Sequence, residues 1–181
     1  RSKKSSPIEE NRAAILAMSL YFGDRRIENV VGDVLSANMR RKNQRVEHVR
    51  LDGRHDFVQH FVISAGLALA SGAVVANAVG VAKEIEDSEG SSGFSFTDLA
   101  ADRAGVQFAR SAVASRDKAV RFQRRLSDLI TERDIFPAVR DLPEGLSGSE
   151  FKRRYGDTNS RAYSRLVAEI DRRIGKINLY R

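Results

Sequence analysis

The sequence predicts a single all-α domain, on three observations. Apolar residues recur at three- and four-residue intervals along most of the chain, and Ser, Thr, Asp and Gly fall where helices of that period would start and stop. No stretch alternates apolar and polar residues for long enough to make a half-buried strand. At 181 residues the chain is long enough for one well-buried core and short for two. The expected architecture is an irregular bundle of about six or seven helices around a central Ala/Gly-rich helical hairpin. Residues 1–6 form a tail, 53–105 the site-bearing core and 115–181 the C-terminal helices.

Ser6-Pro7 followed by Glu9 reads as a helix cap with proline in the first turn, opening a helix that runs to about Phe22 with Ile8, Ile15 and Met18 or Ser19 along one side. Gly23-Asp24 breaks it, and Ile27, Val30, Val31 and Leu35 give a second, short apolar face. The polar, basic stretch 38–52 is a loop or a short strand. A third helix is expected near Asp52-Gly53, entering an uncharged run over 61–82, with Ser71-Gly72 as a break that yields two helices and a tight turn. After the loop Glu89-Gly90-Ser91-Ser92-Gly93, Ser95 or Thr97 caps a helix reaching about Ala114. Ser115 opens the next, carrying Val120, Leu126 and Ile130 towards the core until Phe136-Pro137 stops it. Ser147-Gly148-Ser149-Glu150 is a capping box for a brief helix through Tyr155, and a last helix over 160–174 aligns Tyr163, Leu166, Val167 and Ile170.

Composition excludes some chemistry. There is no cysteine, so disulfides, zinc–thiolate sites and thiol nucleophiles are out. The net charge of +7 is unevenly spread: residues 53–115 carry 4 basic against 7 acidic side chains, and the flanks hold the excess of cations. Most basic residues are interleaved with acids, as on solvated helix faces. The tightest basic run, Arg40-Arg41-Lys42, is a candidate contact for an anionic membrane surface; without interleaved aromatics it is a poor nucleic-acid platform. The first residue is Arg1 rather than Met, which fits loss of an upstream signal or anchor.

The 22 uncharged residues of 61–82 are long enough to cross a bilayer. Dilution by Ser64, Gly66, Ser71, Gly72, Asn77 and Gly80 favours instead a helical hairpin buried among other helices.

Around this run lies the polar constellation that singles out 53–105. His55, Asp56 and His60 precede it, Glu84 and Asp87 follow it, and Asp98 and Asp102 stand beyond the loop. Asp56 and His60 share a helix face at i,i+4, whereas His55 and His60 at i,i+5 diverge by about 140°. Glu84 with Asp87 and Asp98 with Asp102 each share a face. A hairpin returns its two ends to one level, so His60 and Glu84 meet there, beside the start of the next helix. Imidazole and carboxylates converging from helix ends suit metal binding in bundles and general acid–base catalysis alike. As metal ligands the candidates are His55, His60, Glu84 and Asp87, and a nitrogen–oxygen set favours zinc, manganese or iron, or calcium without histidine. As a catalytic set the candidates are His60, Glu84, Asp98 and Asp102. His60 would be base or ligand oriented by Asp56, Glu84 the second acid/base or ligand, and Asp98 and Asp102 orienting groups. No His-Glu-x-x-His is present, Ser64 and Ser88 lack a nucleophile-elbow context, and Gly90 to Gly93 is not a phosphate-binding loop.

The segments Asp56-Phe57-Val58-Gln59-His60-Phe61, Lys83-Glu84-Ile85-Glu86-Asp87-Ser88 and Gly93-Phe94-Ser95-Phe96-Thr97-Asp98-Leu99, with Asp102 and Gly105, resemble YfiM-type predicted lipoproteins of bacteria and, more distantly, VanZ-like membrane proteins. The resemblance covers 53–105 and implies a bacterial envelope or periplasmic setting, without a reaction. The expectation is an exported or envelope-associated protein with a His/carboxylate site that is hydrolytic or metal-binding. The alternative is a non-catalytic scaffold whose acids and histidines stitch helix ends together while basic flanks contact anionic partners.

Overall fold

Reciprocal hydrogen bonds between Ser6 and Glu9 (Glu9 N–H to Ser6 Oγ, Ser6 N–H to Glu9 Oε2) start the first helix, satisfying amides that have no partner inside it. This computed structural model describes residues 5–22, 48–72, 76–77, 79–80, 83–84, 87, 93–128 and 131–181. Among them are six α-helices: α1 Pro7–Phe22, α2 Asp56–Ser71, α3 Phe96–Val113, α4 Arg116–Ser127, α5 Gly148–Tyr155 and α6 Arg161–Gly175. Short 3₁₀ turns follow α4 and α6, at Glu132–Asp134 and Asn178–Tyr180. The all-α bundle is what the periodicity predicts. The second apolar face at 27–35 and the basic run Arg40-Arg41-Lys42 lie outside the described residues.

The buried face of α1 is half polar: Asn11, Ile15, Ser19 and Leu20. The polar pair is satisfied across the core. Asn11 donates to Ala112 O at 2.7 Å, and Ser19 Oγ donates to Val62 O at 2.5 Å.

Asp52-Gly53 does not begin α2. Both residues have positive φ (48° and 82°), and Leu51 and Arg54 exchange backbone hydrogen bonds at 2.9 Å across them, forming a tight reversal of the kind Asp-Gly favours. The helix starts three residues later, and Arg54 is left at its mouth. At the other end α2 stops at Ser71, where Gly72 adopts φ 90°. The uncharged run is therefore interrupted, and among the described residues no helix is long and apolar enough to cross a membrane. This interruption is the break expected at Ser71-Gly72, and residues 73–75 beyond it lie outside the described set. Beyond them Ala76 clusters with Leu67 and Val106, and Gly80 sits against Asp102.

Ser95 caps α3 by accepting from Asp98 N–H at 3.0 Å. This helix is the buried axis of the bundle: Ala100, Ala101, Ala104, Ala109 and Ala112 are fully covered. At Gly105 α2 and α3 touch backbone to backbone, since a Cβ there would overlap the Phe61 carbonyl. Small residues permit that approach, and it decides which polar side chains meet one turn away.

Ser115 caps α4 as expected, but the helix ends at Ser127, well before Phe136-Pro137. Arg124 and Arg125 fill its last turn, and the chain then tightens into the 3₁₀ turn, whose Thr131 and Asp134 form a capping box. Ala119 and Phe122 are the buried residues of α4; Val120 and Leu126 are half-buried, and Ile130 lies outside the described residues. The capping box at Ser147 and Glu150 opens α5, and Ser160 caps α6. An aromatic cluster of Phe94, Phe96, Phe151, Tyr155 and Tyr163 holds these helices to the start of α3. It is reinforced where Phe94 and Leu146 exchange backbone hydrogen bonds at 2.7 and 3.0 Å.

Candidate functional site

The close crossing at Gly105 places Asp102 of α3 opposite His60 and Ser64 of α2. One carboxylate oxygen, Oδ1 of Asp102, accepts from both His60 Nδ1 (3.1 Å) and Ser64 Oγ (2.8 Å). An ionised carboxylate only accepts, so His60 carries its proton on Nδ1 and presents Nε2 with a free lone pair in its neutral form. Nε2 looks towards Asp98, 3.8 Å from its Oδ2. The third member is Glu84. One ligand atom each from His60, Glu84 and Asp98 all lie within 4.8 Å of one another.

Glu84 is wholly buried, with 0% of its side chain exposed. Its Oε2 accepts from Ser95 N–H at 2.9 Å, linking it to the cap of α3, while Oε1 has no hydrogen-bond partner among the described residues. Burial and then the charge of Asp98 push the Glu84 carboxyl from its ordinary 4.5 up to about 7. Burial also raises Asp98, against the pull of His60 and Arg54. For His60, burial opposes the charged ring, but the hydrogen bond and charge of Asp102, joined by Asp98, outweigh it and raise its pKa.

Two cations border this group. Arg54 lies 3.4 Å from Asp98, and Lys83 Nζ lies 3.8 Å from Glu84 Oε1 and 2.5 Å from Asp87. Arg54 also binds Asp56 and Glu144 and lies 4.0 Å over the Phe57 ring. Among the described residues these two cations pair with five carboxylates: Arg54 with Asp56, Asp98 and Glu144, and Lys83 with Glu84 and Asp87.

His60, Glu84, Asp98 and Asp102 are thus gathered in one place. The other sequence candidates are not. His55 is the residue before α2, and its Nδ1 meets Val49 O at 3.1 Å, away from the group, as the 140° divergence implies. Asp87 is held by Lys83 rather than joining Glu84. Asp56 does not orient His60: the guanidinium of Arg54, two residues away, takes it and holds its carboxyl below the usual range. Asp102, reached through tertiary packing, has that role instead. Arg40, Arg41 and Lys42 lie outside the described residues.

Three contributors carried little sequence signal. Ser64 lies one turn beyond His60 on the same face of α2, a spacing that marks it as a neighbour of whatever His60 meets. Arg54 follows a turn-forming Asp-Gly. Gly80 leaves space that Asp102 fills, since a Cβ there would stand 2.7 Å from Asp102 Oδ2. Neither a family model, nor a curated protein, nor a solved structure matches this chain. Its reading therefore rests on the geometry of the site.

Proposed function

We propose that this protein is a divalent-metal-binding protein whose ion is held by His60 Nε2, Glu84 and Asp98, with Asp102 as the residue that orients His60. The observation that carries the reading is the fully buried Oε1 of Glu84, which accepts no hydrogen bond among the described residues and has Lys83 Nζ no nearer than 3.8 Å, in a group whose ligand atoms lie within 4.8 Å of one another. A buried carboxylate oxygen without a partner costs free energy, and a cation removes that cost. In a tetrahedral site with bonds of about 2.1 Å, ligand atoms stand about 3.4 Å apart, so modest side-chain movement closes the group on an ion. The Asp102–His60 arrangement is the carboxylate–histidine pairing that fixes a metal-binding imidazole by its other nitrogen. The nitrogen–oxygen donor set suits zinc, manganese or iron.

Three protein ligands leave an open coordination position, the pattern of metal sites that activate water rather than only brace a fold. His60 and Asp98 are 12% and 15% exposed, so solvent reaches the open side. Hydrolysis is the reaction class this arrangement serves. The envelope setting belongs to the same proposal. It rests on the resemblance over 53–105 and is tested by fractionation of cells expressing the full-length gene.

Equilibrium dialysis of chelator-treated protein against Zn(II) and Mn(II) tests the central reading. One ion per chain is expected, lost in both Glu84→Gln and Asp98→Asn with far-UV circular dichroism unchanged. Absence of stoichiometric binding overturns it. That result favours the scaffold reading, which has its own support: His60–Asp102–Ser64 and Glu84–Ser95 already tie α2, residue 84 and the start of α3 together.

A further inference from the structure

The basic residues of the C-terminal half are not all matched by acids. Arg103 is paired with Asp171, Arg173 with Asp141, and Arg133 and Arg140 with Asp52. Arg110, Lys118 and Arg121 have no carboxylate partner among the described residues, yet with Arg125, which donates to Arg181 O, they line one cavity of about 170 Å³ between α3, α4 and the last 3₁₀ turn.

Helical spacing explains why they converge. Lys118, Arg121 and Arg125 are related by i, i+3 and i+7, and Gln107, Ser111 and Ala114 by i, i+4 and i+7, so each helix turns one stripe towards the other. The acid of α4's first turn, Asp117, is off that stripe and does not line the cavity. The buried Phe122 and Leu179 form its apolar side. Arg125 is held in place by donating to Asn178 O and Arg181 O, which leaves the rest of its guanidinium free to face a ligand. Like charges brought together this way repel, and an anion relieves the repulsion.

Gln107 and Arg110 also line a neighbouring cavity of about 280 Å³, so the two adjoin along α3. That second cavity is lined at its other side by Asn77, whose Oδ1 is buried and without a donor among the described residues. Its one carboxylate, Asp171, is already taken up by Arg103 through two hydrogen bonds of 2.6 Å.

We infer that this groove binds a phosphate ester bearing hydroxyl groups, such as a sugar phosphate. The phosphoryl group sits among Arg110, Lys118 and Arg121, and a hydroxyl donates to Asn77. Neither cavity is lined by His60, Glu84, Asp98 or Asp102, although the second reaches Arg103 beside Asp102, so the groove is a separate site and its test does not depend on metal binding.

Titration calorimetry at constant ionic strength, with glucose phosphate, inorganic phosphate and free glucose as probes, tests the assignment. Saturable binding of one glucose phosphate per chain is expected, with inorganic phosphate weaker and free glucose silent. Arg110→Gln with Arg121→Gln, both exposed positions, weakens both phosphates at least tenfold. Asn77→Ala weakens glucose phosphate more than inorganic phosphate. Lys152→Gln with Arg165→Gln, equal in charge but outside the groove, leaves binding unchanged. Equal weakening by this control pair, or no saturable binding at millimolar ligand, overturns the inference. So does association with phosphatidylglycerol vesicles, relative to phosphatidylcholine alone, without binding of either soluble phosphate. That last result makes the cations a membrane-facing patch rather than a pocket.

Discussion

Replacing Glu84 by Gln should stabilise the metal-free protein at pH 8, although it removes a residue central to the site. The carboxyl is fully buried and its pKa stands at about 7 against an ordinary 4.5. At about 1.4 kcal/mol per pKa unit, ionising it in the folded chain costs about 3 kcal/mol, a ceiling that relaxation lowers. The folded chain holds this proton more tightly than the unfolded chain, so stability falls as pH rises from 4.5 to 7 and then levels off. His60 adds to the same trend: its raised pKa gives stability present below 6.5 that is lost as pH climbs through the folded value. Gln keeps the shape and the acceptor for Ser95 N–H and offers its amide to Asp98. Melting curves in chelator from pH 4.5 to 8.5 check this. Parent and variant should converge near pH 4.5 and separate by several degrees at pH 8, the variant higher, since 1 kcal/mol is about 2–4 °C at this size. A variant less stable than the parent at pH 8, or a difference independent of pH, refutes the electrostatic account of Glu84.

Asp102→Asn should leave the fold largely intact but weaken Zn(II) binding about 10- to 100-fold in competition with a chromophoric chelator, because His60 loses the acceptor that fixes its tautomer. Gly105→Ala should cost about 3 kcal/mol or more in urea denaturation, because the new methyl overlaps the Phe61 carbonyl at the closest point between α2 and α3. Ser147→Ala, which removes the cap of α5 without touching the site, should cost about 1 kcal/mol by the same measurement and leave metal binding unchanged.

Helix starts were the most legible feature of the sequence. Ser95, Ser115, Ser147 and Ser160 each accept from the amide three residues on, a local interaction that short spacing encodes completely. Helix ends were less so: the end of α4 at Ser127 is not marked by Pro or Gly, and the expected stop at Phe136-Pro137 is a buried core corner instead. Within the site, the grouping of His60 with Glu84 and Asp98 followed from placing polar residues at both ends of one apolar run. Which carboxylate holds His60 did not. The i,i+4 neighbour Asp56 competes for Arg54, and Asp102 arrives only because Gly105 lets two backbones touch. Local spacing proposes partners, and tertiary packing selects among them.

The hydrogen bonds from Asn11 to Ala112 O and Ala119 O join residues 101 and 108 positions apart. On a ribosome adding 5–20 residues per second, α1 is made about 5–20 s before its acceptors exist. For that interval α2 can supply Val62 O to Ser19, but Asn11 has no acceptor. The docking of α1 is therefore completed only once α3 and α4 exist, and nascent chains stalled before residue 119 should be more readily cut by protease within α1 than released ones.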